Sequence, residues 1–318
     1  MRFHCRPALF CLLLSVLGPG TAAHAGTPAL KIGVAPIIDM AQVYAAVAQG
    51  YFRGEGLDVE TVAAGNIVAL LPGLTAGQLQ FVAGPIVTVL QGIESGIKFR
   101  VVGPGTAIGV PPPDISPIVT LADGPVKTPK DLEGRTLAVP SLNGNLWLYS
   151  CAYLEKKGVD LSKVKILEVP FPQQFDALTT GRVDAASMTE PFATRATESG
   201  KGRILGYPYT DTQRNFVSVV LVTMADWAKD NPDAFKRFVR AYLRGQAWID
   251  QRKKGPEGVQ LISLYTKLDP AVVAKIAVPA FPPAVDVQAI EETAKLMVRH
   301  GLLKSMPDVR SIMLTPMP

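Results

Sequence analysis

Catalysis by side chains draws on a few residue types, and this sequence is short of them. Its 318 residues include three cysteines (Cys5, Cys11, Cys151) and three histidines (His4, His24, His300). Two of each lie in the first 25 residues, which read as a removable leader, so Cys151 and His300 are left. One cysteine cannot form an internal disulfide. A single Cys and a single His 149 positions apart lack the spacing of a zinc site. A Ser-His-Asp arrangement would have to use His300, which sits in VRHGLL at the expected last turn of a helix, before Gly301. A histidine there favours the helix dipole and needs no further role. Cys151 reads as a small buried residue on a helix. No P-loop, GxGxxG or GxSxG pattern occurs. The residues therefore predict no catalytic group, no metal and no cofactor. Two carboxylates stand at expected helix starts instead. Asp39 followed by Gln42 has the spacing of a capping box. Glu190 precedes Pro191, which suits the first position of a helix.

Residues 1–25 have the three-part layout of a secretory signal peptide. Arg2 and Arg6 make a positive start, and Ala8 to Leu17 is a largely apolar run. Gly18-Pro19-Gly20 breaks that run, and Ala23-His24-Ala25 supplies small residues for cleavage before Gly26. The run is too short to cross a bilayer, which needs about 20 apolar residues. The expected location is the periplasm. Cleavage removes two arginines and no acids, so the net charge falls from 32 − 27 = +5 to 30 − 27 = +3. That charge is weak and no basic stripe follows the chain, which argues against a nucleic acid partner. A hydrophobic fraction of 48% suits a globular chain and excludes a disordered one.

The elements that must position the carboxylates alternate. Strands are expected at Leu30–Ala35, from Leu57, at Leu79–Val82, Ile97–Val102, Ile118–Leu121, Thr136–Val139, Val164–Val169, Val183–Ser187, Arg203–Gly206 and Val217–Thr223. Helices between them include one after Asp39, one over Asn66–Ala76, and others over Gly144–Lys157, Gln173–Thr180 and Pro191–Glu198. Strand–helix alternation with short loops signals a mostly parallel sheet covered by helices. The stretch 104–114 holds four prolines and no period. Residues 74–103 and 178–207 align without a gap at an offset of 104, with Leu74, Thr75, Gly77 on Leu178, Thr179, Gly181 and Glu94, Ser95, Gly96 on Glu198, Ser199, Gly200. This predicts two α/β lobes of similar build. The last third reads as helices (Asn231–Arg252, Gly255–Leu264, Pro270–Ala277, Val285–His300) and would cover the first lobe. The expected division is a leader over 1–25, one lobe from 26–115 with 211–318, and a second lobe from 116–210. Two crossings between lobes make a hinge around a cleft.

Several stretches, in order, carry a family resemblance: GYFRGEGLDVE (50–60), LTAGQLQF (74–81), TPKDLEGRTLAVP (128–140), LEKKGVDLSKV (154–164), ALTTGRVDAASMTEPFATRA (177–196) and NPDAFKRFVRAYLRGQAWI (231–249). The chain resembles a periplasmic solute-binding protein of an ABC importer, in the group that binds nitrate, taurine, alkanesulfonates and the thiamine pyrimidine precursor. The resemblance implies a two-lobed (type II) clamshell and a ligand held by the loops after the strands. In open parallel sheets ligands do sit beyond the carboxyl ends of the strands. The candidate loops are Pro36-Ile37-Ile38-Asp39, Gly84-Pro85-Ile86, Ser141-Leu142-Asn143-Gly144-Asn145 leading into Leu146-Trp147, and Thr189-Glu190-Pro191, with Arg214-Asn215-Phe216 as a weaker fifth. The candidate ligand-binding residues are Ile37, Ile38, Asp39, Gly84, Pro85, Ser141, Asn143, Gly144, Asn145, Trp147, Glu190 and Phe216. Ser141 or Asn143 could equally be an N-cap, Trp147 a core residue or a flat wall, and Glu190 a cap or an acceptor for a ligand amine. With no Lys or Arg in the four main loops, an organic solute with an apolar body is expected over nitrate. Carboxylates in the cleft would ask it for donors or positive charge.

The implied function is capture of a small organic solute by lobe closure, for delivery to the membrane permease of an ABC importer, by a monomer. Two alternatives stand beside it. One is a ligand-sensing partner of a membrane receptor. The other is an enzyme like the thiamine-pyrimidine synthase of this fold, which the shortage of His and Cys and the export signal disfavour.

Overall fold

The computed structural model describes residues 29–109 and 113–314. The expected signal peptide lies outside the described residues. Ten strands form two five-stranded sheets. In the first, the order is β2 (Val59–Ala63), β1 (Leu30–Val34), β3 (Phe81–Pro85), β10 (Phe216–Met224), β4 (Phe99–Ile108). In the second it is β7 (Lys165–Glu168), β6 (Thr136–Val139), β8 (Ala185–Ser187), β5 (Ile118–Leu121), β9 (Gly202–Gly206). Strand β10 runs antiparallel to β3 and β4, and β5 runs antiparallel to β8 and β9. The other pairs are parallel. Each sheet thus has four strands pointing one way and one returning, in the same spatial order.

The internal alignment maps onto this equivalence. An offset of 104 carries the start of β3 onto the start of β8, and both are central strands. The glycines matched by the alignment share one backbone state: φ is +73° at Gly77 and +72° at Gly181, +88° at Gly96 and +74° at Gly200. That left-handed state is open to glycine at little cost, which ties these positions to the turns before each strand.

Apolar burial explains the strands. Ile32 and Val34 of β1, Phe81 to Ala83 of β3 and Val220 to Val222 of β10 are wholly buried or nearly so. Helices of the last third pack on the first sheet. Helix Pro232–Arg252 begins with Pro232 at its first turn and buries Phe238, Val239, Ala241, Tyr242, Gly245, Gln246 and Ile249, a helical spacing. Phe238 stacks on Phe81 of the sheet with ring centroids 3.6 Å apart. A Cβ on Gly245 would lie 2.5 Å from the Gln42 carbonyl oxygen and 2.7 Å from the Ala46 Cβ, so glycine lets this helix press against helix Ala41–Ala48.

Three local expectations need correction. β4 continues through Pro104 to Ile108, where a loop was expected. It is an edge strand with register shifts against β10, the setting in which a strand tolerates proline. The Asn66–Ala76 helix is a 3₁₀ turn, Ile67–Leu70, followed by a five-residue helix, Leu71–Thr75. His300 does end helix Val287–Arg299, but burial holds its imidazole below the ordinary value, so it is neutral at pH 7 and adds no charge to the dipole.

Candidate functional site

The two sheets present the carboxyl ends of their parallel strands to each other, and the loops there enclose a cleft. Its open space is about 540 Å³. The walls are mostly apolar: Ile37, Met40, Ile67, Val68, Pro85, Pro140, Leu146, Phe171 and Val219. The polar residues are Asp39, Asn66, Ser116, Ser141, Asn145, Thr189, Tyr209 and Ser218. No Lys, Arg or His lines the cleft among the described residues.

Asp39 is the charged group of the cleft. It does not form the expected capping box. It lies within a 3₁₀ turn, Ile38–Met40, and helix Ala41–Ala48 starts from Met40 with no side-chain cap. Gln42, the other half of that box, instead donates from Nε2 to the Tyr242 hydroxyl at 3.3 Å. The Asp39 carboxylate is 3% exposed and accepts from the Thr106 hydroxyl at 2.5 Å and from the Ser218 hydroxyl. Burial pushes its carboxyl up from 3.8 to about 6, and these hydroxyls pull it only part of the way back. A buried carboxylate partnered by hydroxyls and no cation leaves acceptor capacity facing the cleft.

Glu190 is placed differently. Its Oε2 accepts from the Thr194 backbone N–H at 3.0 Å and its Oε1 from the Thr194 hydroxyl at 2.8 Å, in the first turn of helix Phe192–Glu198. It acts there as a cap and does not line the cleft. Burial pushes it from 4.5 to about 7. Its backbone carbonyl accepts from the Ile38 N–H at 3.1 Å, a bond between lobes. Three more bonds cross the cleft. Asn66 Nδ2 donates to the Pro140 carbonyl at 3.1 Å. Asn145 Oδ1 accepts from the Val87 N–H at 3.1 Å while its Nδ2 donates to the Ser218 carbonyl at 2.7 Å. The lobes are therefore closed on each other.

Behind the cleft, Asp114 ties the two inter-lobe crossings together. It accepts from the Ser116 N–H at 2.8 Å in the first crossing and from the Thr210 N–H at 3.0 Å in the second. Burial raises its carboxyl above the ordinary value.

Of the residues singled out from sequence, Ile37, Asp39, Pro85, Ser141 and Asn145 line the cleft. Ile38, Gly84 and Phe216 lie in the packed core around it: Ile38 and Phe216 are fully buried, and a Cβ on Gly84 would meet Val89 at 3.3 Å. Phe216 packs on Tyr149 with ring centroids 4.1 Å apart. Trp147 is half-buried between the cores of both lobes. Neither Ser141 nor Asn143 caps the next helix: Gly144 is its N-cap, without a side-chain bond, and Asn143 has φ +59°. A Cβ on Gly144 would lie 2.4 Å from Ser141 Oγ, so a larger residue there would turn the Ser141 hydroxyl away.

Sequence reasoning missed Asn66, Ile67, Val68 and Phe171. They follow β2 and β7, and the rule that pointed to the ends of β1, β3, β6 and β8 applies equally to those two strands. Ser218 and Tyr209 carried no local signal, since their place depends on the returning strand and the second crossing.

A family model described as NMT1/THI5 like matches residues 37–253. The chain is 23% identical over 209 residues to a formylaminopyrimidine-binding protein from Halalkalibacterium halodurans, over 65% of this chain and 61% of that one. It is 24% identical over 225 residues to the riboflavin-binding protein RibY of Chloroflexus aurantiacus, over 69% of this chain and 61% of that one. The matches thus span about three fifths of the length of these curated relatives. The alkanesulfonate-binding protein SsuA from Xanthomonas axonopodis pv. citri, bound to MOPS, superposes with a TM-score of 0.75 at 18% identity, over 91% of this chain and 99% of that one. That likeness shows the fold, a two-lobed periplasmic binding protein fold with helix-flanked sheets.

Proposed function

The chain belongs to the NMT1/THI5-like family, and from that premise we propose that it is an exported solute-binding protein for a small organic molecule rich in N–H donors. The observation that carries this reading is Asp39, a buried carboxylate on the cleft wall with hydroxyl partners and no cation beside it. A sulfonate or nitrate would meet that carboxylate as a like charge with no Lys or Arg to offset it. An amino-substituted heterocycle would donate to Asp39 and lay its ring along Ile37, Ile67 and Phe171. The solute in the name of one relative, a formylaminopyrimidine, is of this kind, and riboflavin, in the name of the other, is a flat heterocycle with one ring N–H.

The protein acts by binding and not by turnover. The named relatives are binding proteins, and among the described residues no thiol or imidazole lines the cleft. Ligand between the lobes shifts the population toward the closed form, which is the form a membrane permease of an ABC importer would receive in the periplasm.

The test is a thermal-shift screen of residues 26–318 with aminopyrimidines, flavins, alkanesulfonates and nitrate, followed by calorimetry. A ligand at 100 times its Kd adds about 2.7 kcal/mol, a shift of a few degrees. Stoichiometric binding of a donor-bearing heterocycle, lost in Asp39→Asn, is the expected result. Binding of nitrate or sulfonates with no response to any heterocycle would overturn the reading.

A further inference from the structure

We propose that Asn145 is the latch of the closed state: it caps, from the second lobe, a helix of the first lobe that has no cap of its own. Helix Ile86–Glu94 follows Pro85, whose side chain supplies no cap hydrogen bond. Its second N–H, on Val87, is one of the orphan donors of a helix start. Asn145 Oδ1 accepts that N–H at 3.1 Å, from across the cleft. The amide nitrogen of the same side chain donates to the Ser218 carbonyl at 2.7 Å, also in the first lobe. Asn145 itself opens helix Asn145–Lys156, so its position is set by a rigid element of its own.

Both bonds are closure-dependent. The cleft lies between the lobes and is lined by both, so admitting a bulky solute parts them. Parting them separates Asn145 from Val87 and Ser218 together and leaves the Val87 N–H to water. The side chain is 7% exposed, and each of its two polar atoms makes one hydrogen bond to the other lobe in the closed form. The positions of Asn145 and Asp39 divide the work: Asp39 faces the solute, and Asn145 responds to closure. This inference rests on the reading of the cleft as a closing binding site, and not on which solute it takes.

The experiment labels Glu60→Cys and Lys165→Cys with a fluorophore pair and reads the distance between lobes by single-molecule energy transfer. Both residues are exposed, one on each edge strand β2 and β7, while the native Cys151 is buried. The closed-to-open ratio is measured alone and with saturating formylaminopyrimidine. Two lost inter-lobe hydrogen bonds predict a fall of about tenfold in Asn145→Ala. Asn145→Asp keeps the acceptor for Val87 but turns a carboxylate to the Ser218 carbonyl, and its near-isosteric shape separates a closure defect from a folding defect. It should close less than wild type while its circular dichroism stays unchanged. For any bound solute, dissociation should quicken with association unchanged, a split that a general loss of stability does not produce. An unchanged ratio in both variants overturns the proposal, as does a wild-type protein that never closes in either condition. Failure to bind formylaminopyrimidine while closure still depends on Asn145 would count against the proposed solute class alone.

Discussion

Asp39→Asn should make the empty protein more stable while making it a worse binder. The carboxyl sits at about 6 in the folded chain against an ordinary 3.8, raised mainly by burial. A carboxyl whose folded value is raised binds its proton more tightly when folded than when unfolded. Its contribution is therefore favourable below pH 3.8 and is lost as pH rises through about 6. At pH 7.5 the buried charge costs about 3 kcal/mol of stability. The asparagine amide removes that cost and can still accept from the Thr106 hydroxyl. The variant should gain up to about 3 kcal/mol at pH 7.5, a rise of several degrees in Tm, and the gain should shrink by about 2 kcal/mol on going to pH 4.5. Differential scanning calorimetry of both proteins across that range reads it, and subtracting the two profiles removes the contribution of Glu190. A variant less stable at pH 7.5, or a difference constant with pH, would refute the claim that Asp39 is a buried, uncompensated charge.

Phe171→Ala removes one apolar wall of the cleft from a half-exposed position, so solute affinity should fall by about tenfold with little change in Tm, as calorimetry and a thermal melt would show. Gly245→Ala should lower stability by about 1–3 kcal/mol in a urea titration despite the better helix propensity of alanine, because the new Cβ meets the Gln42 carbonyl at 2.5 Å. The Cys151 thiol is buried and pushed up to about 12, so it should not react with a disulfide reagent at pH 8 until denaturant is added.

The strands were legible because each is a local apolar pattern. Each of the ten overlaps an expected strand, though β4 runs on past Val102 to Ile108, and the two-lobe plan followed from thirty aligned positions with their glycine turns. What local pattern cannot carry is pairing at a distance. Asp39 and Gln42 have capping-box spacing, but a hydroxyl 67 residues on claims the carboxylate. The prolines of 104–114 read as a loop because the edge position that tolerates Pro104 is a property of the sheet. Asn145 was found as a cleft residue from its loop, whereas its partners Val87 and Ser218 come from the other lobe and appear only when the lobes are assembled.

The equivalence of the lobes explains why the cleft divides its labour. The loop after β1 and the loop after β6 occupy matching places, as do those after β2 and β7, and after β3 and β8. A closed cavity is thus lined twice by the same architectural positions. The chemistry at those positions differs. After β1 stands Asp39, an acid held by hydroxyls of its own lobe; after β6 stand Ser141 and Asn145, neutral groups, one of which reaches across. Were both loops acidic, closure would bring two carboxylates into one narrow space, and like charges there would hold the lobes apart. Were both neutral, nothing would favour closure on a donor-bearing solute over closure on nothing. One acidic lobe and one amide-bearing lobe avoid both outcomes. A solute bound to Asp39 offsets the buried charge, and the amide of Asn145 then finds its two partners in place. A carboxylate introduced after β6, as Ser141→Asp, tests this: it should hold the empty protein open at pH 7.5 and restore closure at pH 4.5. Closure unaffected by pH in that variant would mean that the charge asymmetry between the lobes does not govern it.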